Sequence, residues 1–317
     1  MEGGSAVLRT PSLAMRLGKP RQSRYNVDDK LLDRPAIGQR MSTLRLHVFN
    51  TGWFTTRESH LYLGGGAARR TLPVLAFAVE HPQGLLVFDT GLSAAIATHA
   101  RSYLGWINDH LLPYRSKPGM HLSAQMRARG LAPEDVTHVA LSHLHYGHTG
   151  DLRAFPNARR LSTCQEWQAA HSHMRRLRGY LSREYAALQF KLIEFSIESG
   201  TTLEDVASHG YGLDVLGDGS LVLVPTFGHT DGHQSLLVFL PHGTVLLAGD
   251  AVYVQESVAR PVAQPHPRSS DMAWRSLMGL RALAKGDHHA LILPSHDDSV
   301  LRGVVRPDIV VGSEHLG

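Results

Sequence analysis

Four times along the chain, a short apolar segment with the character of a β-strand runs directly into residues that can bind a metal ion. These segments are Val136 to Leu141 before a group of histidines, Val222 to Val224 before His229, Val245 to Ala248 before Asp250, and Leu291 to Leu293 before His296. Ligands at strand ends converge on one rim of a sheet structure, where rigid elements hold them and solvent can enter. The chain is therefore expected to fold around its sheets and to carry its chemistry at their edge.

The first of these segments leads into the densest group of histidines. His143, His145 and His148 lie within six residues. Two imidazoles at positions i and i+2 of a looped backbone can chelate one ion, and a third close by can serve a neighbouring ion. The chain has 21 histidines, and neutral imidazole is the commonest metal ligand in proteins. A histidine-rich polar turn is the alternative, but the three later segments favour a metal site.

Composition excludes several other classes of protein. Hydrophobic residues make up 43% of the 317 residues and charged residues 19%, which rules out a disordered, collagen-like or coiled-coil chain. The net charge of +4 is too small for a nucleic-acid-binding protein, and no apolar run approaches the roughly 20 residues of a membrane span. Cys164 is the single cysteine, so no internal disulfide can form and the cytoplasm is the expected compartment.

The pattern along the chain predicts one ordered domain. Residues 1–42 are expected to be a loosely ordered leader, and residues 43–317 the domain itself. Pro73 to Val79 and Leu85 to Phe88, joined by a turn-rich link, are typical of a hairpin. Helices are predicted at Ser123 to Arg129, mainly from Thr163 to Tyr185, and at Asp271 to Ala284. Many short strands with interspersed helices indicate two sheets covered by helices.

From about residue 43 to residue 300 the chain resembles the metallo-β-lactamase fold hydrolases. The match is carried, in order, by Asp89 after a strand, the His-x-His-x-x-His cluster, His229, Asp250 and His296. Within that superfamily the chain looks most like the N-acyl homoserine lactonases. Tyr253 follows Asp250 by three residues, and Gly228 to Ser235 has their Gly-His-x-x-Gly-His-x-Ser pattern. The resemblance implies an α+β fold, a four-layer αββα sandwich in a single domain with metals at one edge.

The resemblance also implies a set of metal ligands. His143, His145 and His229 would form the first site, His148 and His296 the second, and Asp250 would bridge the two. Because these ligands offer only nitrogen and oxygen, zinc is expected, at one or two ions per chain, with iron, manganese or cobalt as alternatives. Asp89 is expected to orient a ligand through a hydrogen bond rather than to bind metal. His233 is expected to be structural.

The implied chemistry is the opening of a lactone ring, such as that of an N-acyl homoserine lactone. A metal-bound water ionises with a pKa near 7, against about 15.7 in bulk water, so the site would supply hydroxide without a side-chain base. The Tyr253 hydroxyl would donate to the developing oxyanion. Asp250 and Tyr253 are thus the expected catalytic residues. The expected partner is a small-molecule substrate, with neither nucleic acid nor a membrane, and a homodimer is left open.

Gly147 departs from the family pattern, which has an aspartate immediately before the third histidine. The resemblance gives that aspartate two roles, as a ligand of the second metal and in proton transfer to the leaving group. Glycine can perform neither. We therefore expect weak metal occupancy at the second site and slow turnover, since loss of a general acid typically costs about 10²- to 10⁴-fold. Asp151 is near in sequence, but a loop acid in water is the simpler interpretation.

Two alternative functions stay open on the sequence. The first is another hydrolase of the same fold, acting on a thioester, a phosphotriester or a β-lactam. The second is a catalytically degenerate member that binds metal or acts as a sensor, for which Gly147 is the main evidence. Serine and cysteine nucleophiles have no support, because the chain lacks a Gly-x-Ser-x-Gly elbow and Cys164 lies away from any histidine cluster.

Overall fold

A computed structural model describes residues 43–195, 212–286, 289–304 and 306–312. The leader predicted for residues 1–42 lies outside the described residues, so the boundary at residue 42 stays a prediction. The strands are β1 (Arg45–Arg57), β2 (Arg69–His81), β3 (Gly84–Phe88), β4 (Tyr114–Arg115), β5 (Val136–Ala140), β6 (Arg159–Thr163), β7 (Phe190–Ile193), β8 (Leu213–Asp214), β9 (Leu221–Pro225), β10 (Gln234–Leu240), β11 (Gly243–Gly249), β12 (Leu291–Pro294) and β13 (Ile309–Val311).

The α-helices are mostly short and lie between the strands. They are α1 (Ile96–Leu104), α2 (Trp106–Leu111), α3 (Leu122–Ala128), α4 (Cys164–Ala170), α5 (Ser182–Tyr185), α6 (Gln255–Ala259), α7 (Ser270–Lys285) and α8 (Ser299–Gly303). Single 3₁₀ turns lie at Glu58–His60, Pro133–Asp135, Leu152–Ala154 and Arg175–Arg178. Across the described ranges, none of the helices has both the length and the apolar character needed to cross a membrane.

The described strands form two sheets that pack face to face. The larger has the order β13-β1-β2-β3-β5-β6-β7, with β4 paired to β1, and the smaller has the order β12-β11-β10-β9-β8. Side chains alternate across the strands, as the two-residue period requires. In β2, Leu75 and Phe77 face the space between the sheets, whereas Ala76 and Ala78 belong to the core under the outer helices. The smaller sheet alternates in the same way between the shared core and α7.

These layers follow the order helix, sheet, sheet, helix. Leu122 and Met126 of α3 and Ala169 of α4 cover the outer face of the larger sheet, and Leu277 and Leu280 of α7 cover that of the smaller one. The expected α+β fold, a four-layer αββα sandwich, is confirmed.

The helix predicted mainly from Thr163 to Tyr185 is confirmed only in pieces, at Cys164–Ala170, Arg175–Arg178 and Ser182–Tyr185. Residue Thr163 ends strand β6 and then caps α4, because its hydroxyl accepts a hydrogen bond from the backbone N–H of Glu166 at 3.1 Å. Helix α4 stops at Ala170, and the chain turns at Gly179, whose φ of +88° lies in the left-handed region. The helical pattern of the sequence thus covers a strand, two short helices and a 3₁₀ turn.

Strand direction places the loops that matter at one edge. Strands β3, β5 and β6 are parallel neighbours, so their carboxyl ends lie at the same edge of the larger sheet. In the smaller sheet, β9 and β11 both run antiparallel to β10, and β12 runs parallel to β11. The loops that follow β9, β11 and β12 therefore open on a common edge as well.

Candidate metal centre

The loops at this edge bring all six predicted ligands together. They are His143, His145 and His148 after β5, His229 after β9, Asp250 after β11 and His296 after β12. Two overlapping sets of donor atoms result, one from His143, His145 and His229 and one from His143, His148 and Asp250. Within each set the donor atoms lie within 4.8 Å of one another. The strand ends and the loops that follow them therefore place the six side chains around a single centre.

The carboxylate of Asp250 lies between the two sets. Its Oδ1 atom is 3.1 Å from Nε2 of His296 and 3.4 Å from Nε2 of His148. The other oxygen, Oδ2, is 3.5 Å from Nε2 of His229 and 3.9 Å from Nε2 of His143. Each oxygen thus faces a different pair of imidazoles, which is the arrangement that a bridging carboxylate requires.

Asp89 is hydrogen-bonded to the ring nitrogen of His148 that faces away from Asp250. Its Oδ2 accepts a hydrogen bond from Nδ1 of His148 at 2.8 Å and one from the Ser142 hydroxyl at 2.7 Å. The other oxygen accepts the backbone N–H of Ser142 at 2.7 Å. Asp89 has a φ of +58°, an uncommon conformation for a non-glycine residue. With Nδ1 occupied in this way, His148 points Nε2 toward Asp250, so Asp89 lies where a residue that orients a ligand would lie.

Substitution of Asp89 by asparagine is expected to weaken metal binding about 10- to 100-fold, because the amide cannot accept all three hydrogen bonds and leaves His148 free to turn. Competition of the purified variant with a chromogenic chelator would measure the change. Asp214→Asn is the matched control, since Asp214 also accepts two backbone hydrogen bonds, from Gly217 and Gly219, but outside the centre. Equal metal affinity in the Asp89 variant and the wild type would contradict the role given to Asp89.

Two other ligands are oriented by groups that the sequence pattern did not indicate. The Nδ1–H of His296 donates to the backbone carbonyl of Pro73 at 2.8 Å. Nδ1 of His229 lies 3.3 Å from Oε1 of Gln264, whose amide nitrogen donates to the backbone carbonyls of Asp250 and Ala251. These bonds fix one nitrogen of each ring and turn the other toward the centre.

The donor atoms themselves have the properties that a metal ion requires. Nε2 of His143 is fully buried and has no hydrogen-bond partner, a condition that costs free energy unless another group satisfies the atom. Burial holds the pKa of His143 and of His145 well below the usual range, so both imidazoles are neutral and can coordinate. Nδ1 of His145 lies 3.3 Å from Nε2 of His229. The residues therefore fit a bound cation.

The pKa of Asp250 and the pKa of His148 depend strongly on each other. Burial acts to raise the pKa of Asp250, but the imidazoles of His296 and His148 outweigh it and hold that pKa well below its usual range. For His148, burial acts to lower the pKa, and the carboxylates of Asp250 and Asp89 raise it to about 10. Without a cation, His148 thus holds a proton between two carboxylates. A metal at the second set must displace that proton, which weakens binding there as the pH falls.

Gly249 allows the close packing behind the centre. Its φ is +55°, and a Cβ at this position would lie 2.6 Å from Cβ of Ser142 and 2.8 Å from Nε2 of His233. His233 accepts the backbone N–H of Asp250 at 3.0 Å and bonds to the Thr226 hydroxyl at 2.8 Å. Both of its ring nitrogens are therefore engaged in structural contacts, in keeping with the role expected for it.

A cavity of about 440 Å³ opens in front of the ligands. Its walls are mostly apolar and aromatic, and they include Phe54, Leu61, Leu112, Tyr114, Tyr146 and Pro265. Tyr253 lies at the inner end, with its hydroxyl 3.3 Å from Nδ1 of His229. Burial and the charge of Asp250 raise the pKa of Tyr253 well above its usual range, so the phenol keeps its proton. The cavity therefore offers an apolar wall and a neutral hydroxyl donor beside the metal ligands.

Gly147 lies beside a residue of the cavity wall. A Cβ at Gly147 would lie 3.3 Å from the hydroxyl oxygen of Tyr114, which borders the same space. Asp151 does not compensate, because its Oδ2 accepts the backbone N–H of Ser123 at 2.7 Å, at the beginning of α3. Asp151 is half-buried and its carboxylate is hydrogen-bonded to the backbone, so the interpretation as a loop acid in water is wrong. Its function here is to cap α3.

A second buried carboxyl supports the histidine loop. Glu184 accepts hydrogen bonds from the hydroxyls of Thr149 and Tyr103, the latter at 2.8 Å. Burial raises the pKa of Glu184 from its ordinary value of 4.5 to about 7. The folded state then binds this proton more tightly than the unfolded chain does. The contribution of Glu184 to the free energy of unfolding therefore falls as the pH rises from about 4.5 to about 7, and is constant outside that window.

Substitution of Glu184 by glutamine is expected to remove this pH-dependent fall in the free energy of unfolding, which amounts to on the order of 3 kcal/mol. The glutamine amide can still accept from Tyr103 and can donate to Thr149. Urea denaturation at pH 5 and at pH 8 would show the variant losing less stability than the wild type across that interval. Glu256→Gln, at an exposed ion pair with Arg70, serves as the control. Equal losses in wild type and Glu184→Gln would show that Glu184 does not titrate in this window.

Residues 69–296 match the family model described as the metallo-beta-lactamase superfamily. The chain belongs to the metallo-beta-lactamase superfamily. As a member of this superfamily with a cluster of His and Asp side chains that could hold a metal ion, it is a metallo-hydrolase.

Within the superfamily, the similarity is to N-acyl homoserine lactonases. The N-acyl homoserine lactonase AttM of Rhizobium radiobacter is 32% identical over 260 residues, which are 81% of this chain and 94% of AttM. The N-acyl homoserine lactonase AiiA of Bacillus thuringiensis subsp. kurstaki is 27% identical over 230 residues, 71% of this chain and 82% of AiiA. The expected resemblance to this group of enzymes is confirmed.

A solved structure shows the same fold. The N-acyl homoserine lactone hydrolase with the product N-hexanoyl-L-homoserine bound at its catalytic metal centre superposes with a TM-score of 0.69. Sequence identity is 22%, and the alignment covers 84% of this superfamily member and 98% of the hydrolase. At this level of identity the likeness establishes the fold alone.

Proposed function

We propose that the protein opens the ester ring of a lactone, such as an N-acyl homoserine lactone, with zinc as its metal. The observation that carries the proposal is the convergence of five imidazoles and one carboxylate at the inner end of a largely apolar cavity of about 440 Å³, beside the Tyr253 hydroxyl. The AttM and AiiA relatives bear the name of this activity. An apolar cavity with a few polar groups at one end suits a small substrate that has an acyl chain and a polar head.

The metal, when bound, would supply a Lewis acid and an ionised water at neutral pH. His143, His145 and His229 would hold the first ion, His148 and His296 would hold the second, and Asp250 would contact both. The ligand set of nitrogen and oxygen atoms suits zinc, and also iron, manganese or cobalt.

Tyr253 would act directly on the substrate. When Nε2 of His229 faces the ligand set, Nδ1 carries the proton and donates to Oε1 of Gln264 and to the oxygen of Tyr253, each at 3.3 Å. The hydroxyl proton of Tyr253 is then free to point into the cavity. As water adds to the ester carbonyl, the Tyr253 hydroxyl donates a hydrogen bond to the oxygen on which negative charge develops. The bond between the carbonyl carbon and the ring oxygen then breaks and opens the ring.

Turnover is proposed to be slow because of Gly147. Glycine brings no carboxylate of its own to the second ion, which leaves His148, His296 and Asp250 as the protein ligands there, and His148 must lose a proton before it can coordinate. Metal occupancy of the second set would then be low at neutral pH. Departure of the ring oxygen would proceed without a neighbouring carboxyl group.

The compartment and the assembly are proposed on the sequence. The single cysteine favours the cytoplasm, and the expected partner is the small-molecule substrate, without nucleic acid or membrane. A homodimer is compatible with the sequence, and sedimentation would measure the oligomeric state.

The proposed function is tested with purified protein after elemental analysis of its metal content. Protein loaded with zinc, iron, manganese or cobalt would be assayed on N-hexanoyl homoserine lactone, and in parallel on a thioester, a phosphotriester and a β-lactam. We expect lactone hydrolysis that is lost on chelation and restored by metal. A faster reaction with another substrate class would assign the chain to that class instead. Metal binding without hydrolysis of any of them would favour a sensing role.

A further inference from the structure

Tyr114 places a second hydroxyl in the cavity. The residue is in β4, paired with Phe54 of β1, and its side chain is buried. No described residue forms a hydrogen bond with its hydroxyl, although the ring packs against Phe54 and Tyr146, with centroids 5.2 Å away in both cases. A buried phenol usually finds a hydrogen-bond partner. This one instead lines the cavity together with His148, Asp250 and His296.

The hydroxyl lies on the side of the second donor set. Its oxygen is 3.3 Å from the position that a Cβ of Gly147 would occupy, and Gly147 directly precedes His148. Phe54 touches the Tyr114 ring and also meets His296 edge to face at 4.8 Å. Tyr253 is hydrogen-bonded to His229, and its ring centroid lies 5.9 Å from that of His296. Of the two phenols, Tyr114 is the one that lies against Gly147.

We propose that Tyr114 is a catalytic residue that donates a hydrogen bond to the ring oxygen of the lactone as that oxygen leaves. This inference rests on the proposed function. In the step, the water oxygen bonds to the carbonyl carbon, the bond from that carbon to the ring oxygen breaks, and the electron pair stays on the ring oxygen. The attacking water gives up a proton to solvent, the leaving oxygen takes its proton from solvent, and Tyr114 keeps its own.

Two observations favour Tyr114 for this role. Burial, the neighbouring Tyr146 and the charge of Asp250 raise its pKa well above the usual range, so the phenol keeps its proton. Gly147 has no side chain, so no neighbouring carboxylate competes for the hydroxyl at that place. The hydroxyl belongs to a residue of the cavity wall, where a substrate atom can reach it.

The role predicts a dependence on the leaving group. A hydrogen bond to a departing alkoxide stabilises the transition state more than one to a weakly basic phenolate. In the metal-loaded full chain, Tyr114→Phe is expected to lower kcat for N-hexanoyl homoserine lactone about 10- to 100-fold, with a smaller change in KM. For an aryl hexanoate the fall should be less than about 3-fold.

A binding measurement gives a second readout. The product N-hexanoyl-L-homoserine carries the freed hydroxyl, so calorimetry should show it binding about 3- to 10-fold more weakly to Tyr114→Phe than to the wild type. Tyr185→Phe is the matched control, because Tyr185 is also a buried phenol but lies outside the cavity lining, with its hydroxyl donating to the backbone carbonyl of Ala170 at 3.1 Å. The control is expected to leave product affinity and leaving-group dependence unchanged.

Several outcomes would overturn the proposal. Equal losses with the lactone and the aryl ester would show a structural role, and unchanged kcat with unchanged product affinity would show no role. If the wild type hydrolyses no lactone, the proposed function fails by itself. A comparison of alkyl and aryl hexanoates, together with product binding, would then still decide whether Tyr114 assists a leaving oxygen.

Discussion

The variant Asp250→Asn is expected to lose lactone hydrolysis by about 10³-fold or more and to retain little bound metal. Asp250 lies between 3.1 and 3.9 Å from the nitrogens of four imidazoles, and it is the one carboxylate in the two donor sets. An amide there removes the negative charge and directs an N–H₂ group at nitrogens that must coordinate. A loss of about 4 kcal/mol of transition-state stabilisation corresponds to the expected rate change.

Elemental analysis and a lactone assay at saturating zinc would measure both effects. Asp271→Asn provides the control, since Asp271 is an exposed aspartate of α7 that pairs with Arg275 at 3.1 Å. The control should keep both metal and rate. An Asp250 variant with wild-type metal content and a rate within 10-fold of the wild type would show that the carboxylate does not bridge the two sets.

The variant Gly147→Asp should raise the metal content toward two ions per chain and increase lactone hydrolysis at least 10-fold. The new carboxylate would add a fourth protein ligand beside His148. It would also favour the metal over the proton that His148 holds. The Cβ can be accommodated, because its nearest neighbour is the hydroxyl oxygen of Tyr114 at 3.3 Å, and a shift of a few tenths of an ångström of that side chain relieves the contact.

Gly147→Asn separates charge from shape, since its amide has the same size without the negative charge, and we expect little gain from it. In the Gly147→Asp background, the loss caused by Tyr114→Phe should be smaller than in the wild type, because two neighbouring groups would then serve one leaving oxygen. An unchanged metal content and rate in Gly147→Asp would mean that position 147 does not limit this enzyme.

The strand ends could be predicted from sequence because their signal is local. A run such as Val222 to Val224 is apolar on both faces, which is typical of a strand buried in a sandwich, and the chain reaches His229 soon after it ends. The same holds for Asp250 after β11. The six predicted ligands follow from this pattern and from the family resemblance. The pattern also indicated two sheets covered by helices, while the αββα sandwich with metals at one edge came from the resemblance.

The groups that orient the ligands left no such signal. Gln264 lies 35 residues from His229, and the carbonyl of Pro73 lies 223 residues from His296. A backbone carbonyl has no identity in a sequence, and a single glutamine in a loop is unremarkable in composition. Tyr114 was missed for the same reason, because its nearness to Gly147 depends on the pairing of β4 with β1.

The six predicted ligands are divided equally between the two halves of the sandwich. His143, His145 and His148 follow a strand of the larger sheet, whereas His229, Asp250 and His296 follow strands of the smaller one. A bound ion would therefore cross-link the halves at their open edge. At a free metal concentration 1,000 times Kd, it would add about 4 kcal/mol to the resistance to unfolding. Backbone amides of β5 and β9 should then exchange hydrogen much more slowly in the loaded protein, even where they lie far from the reacting ester.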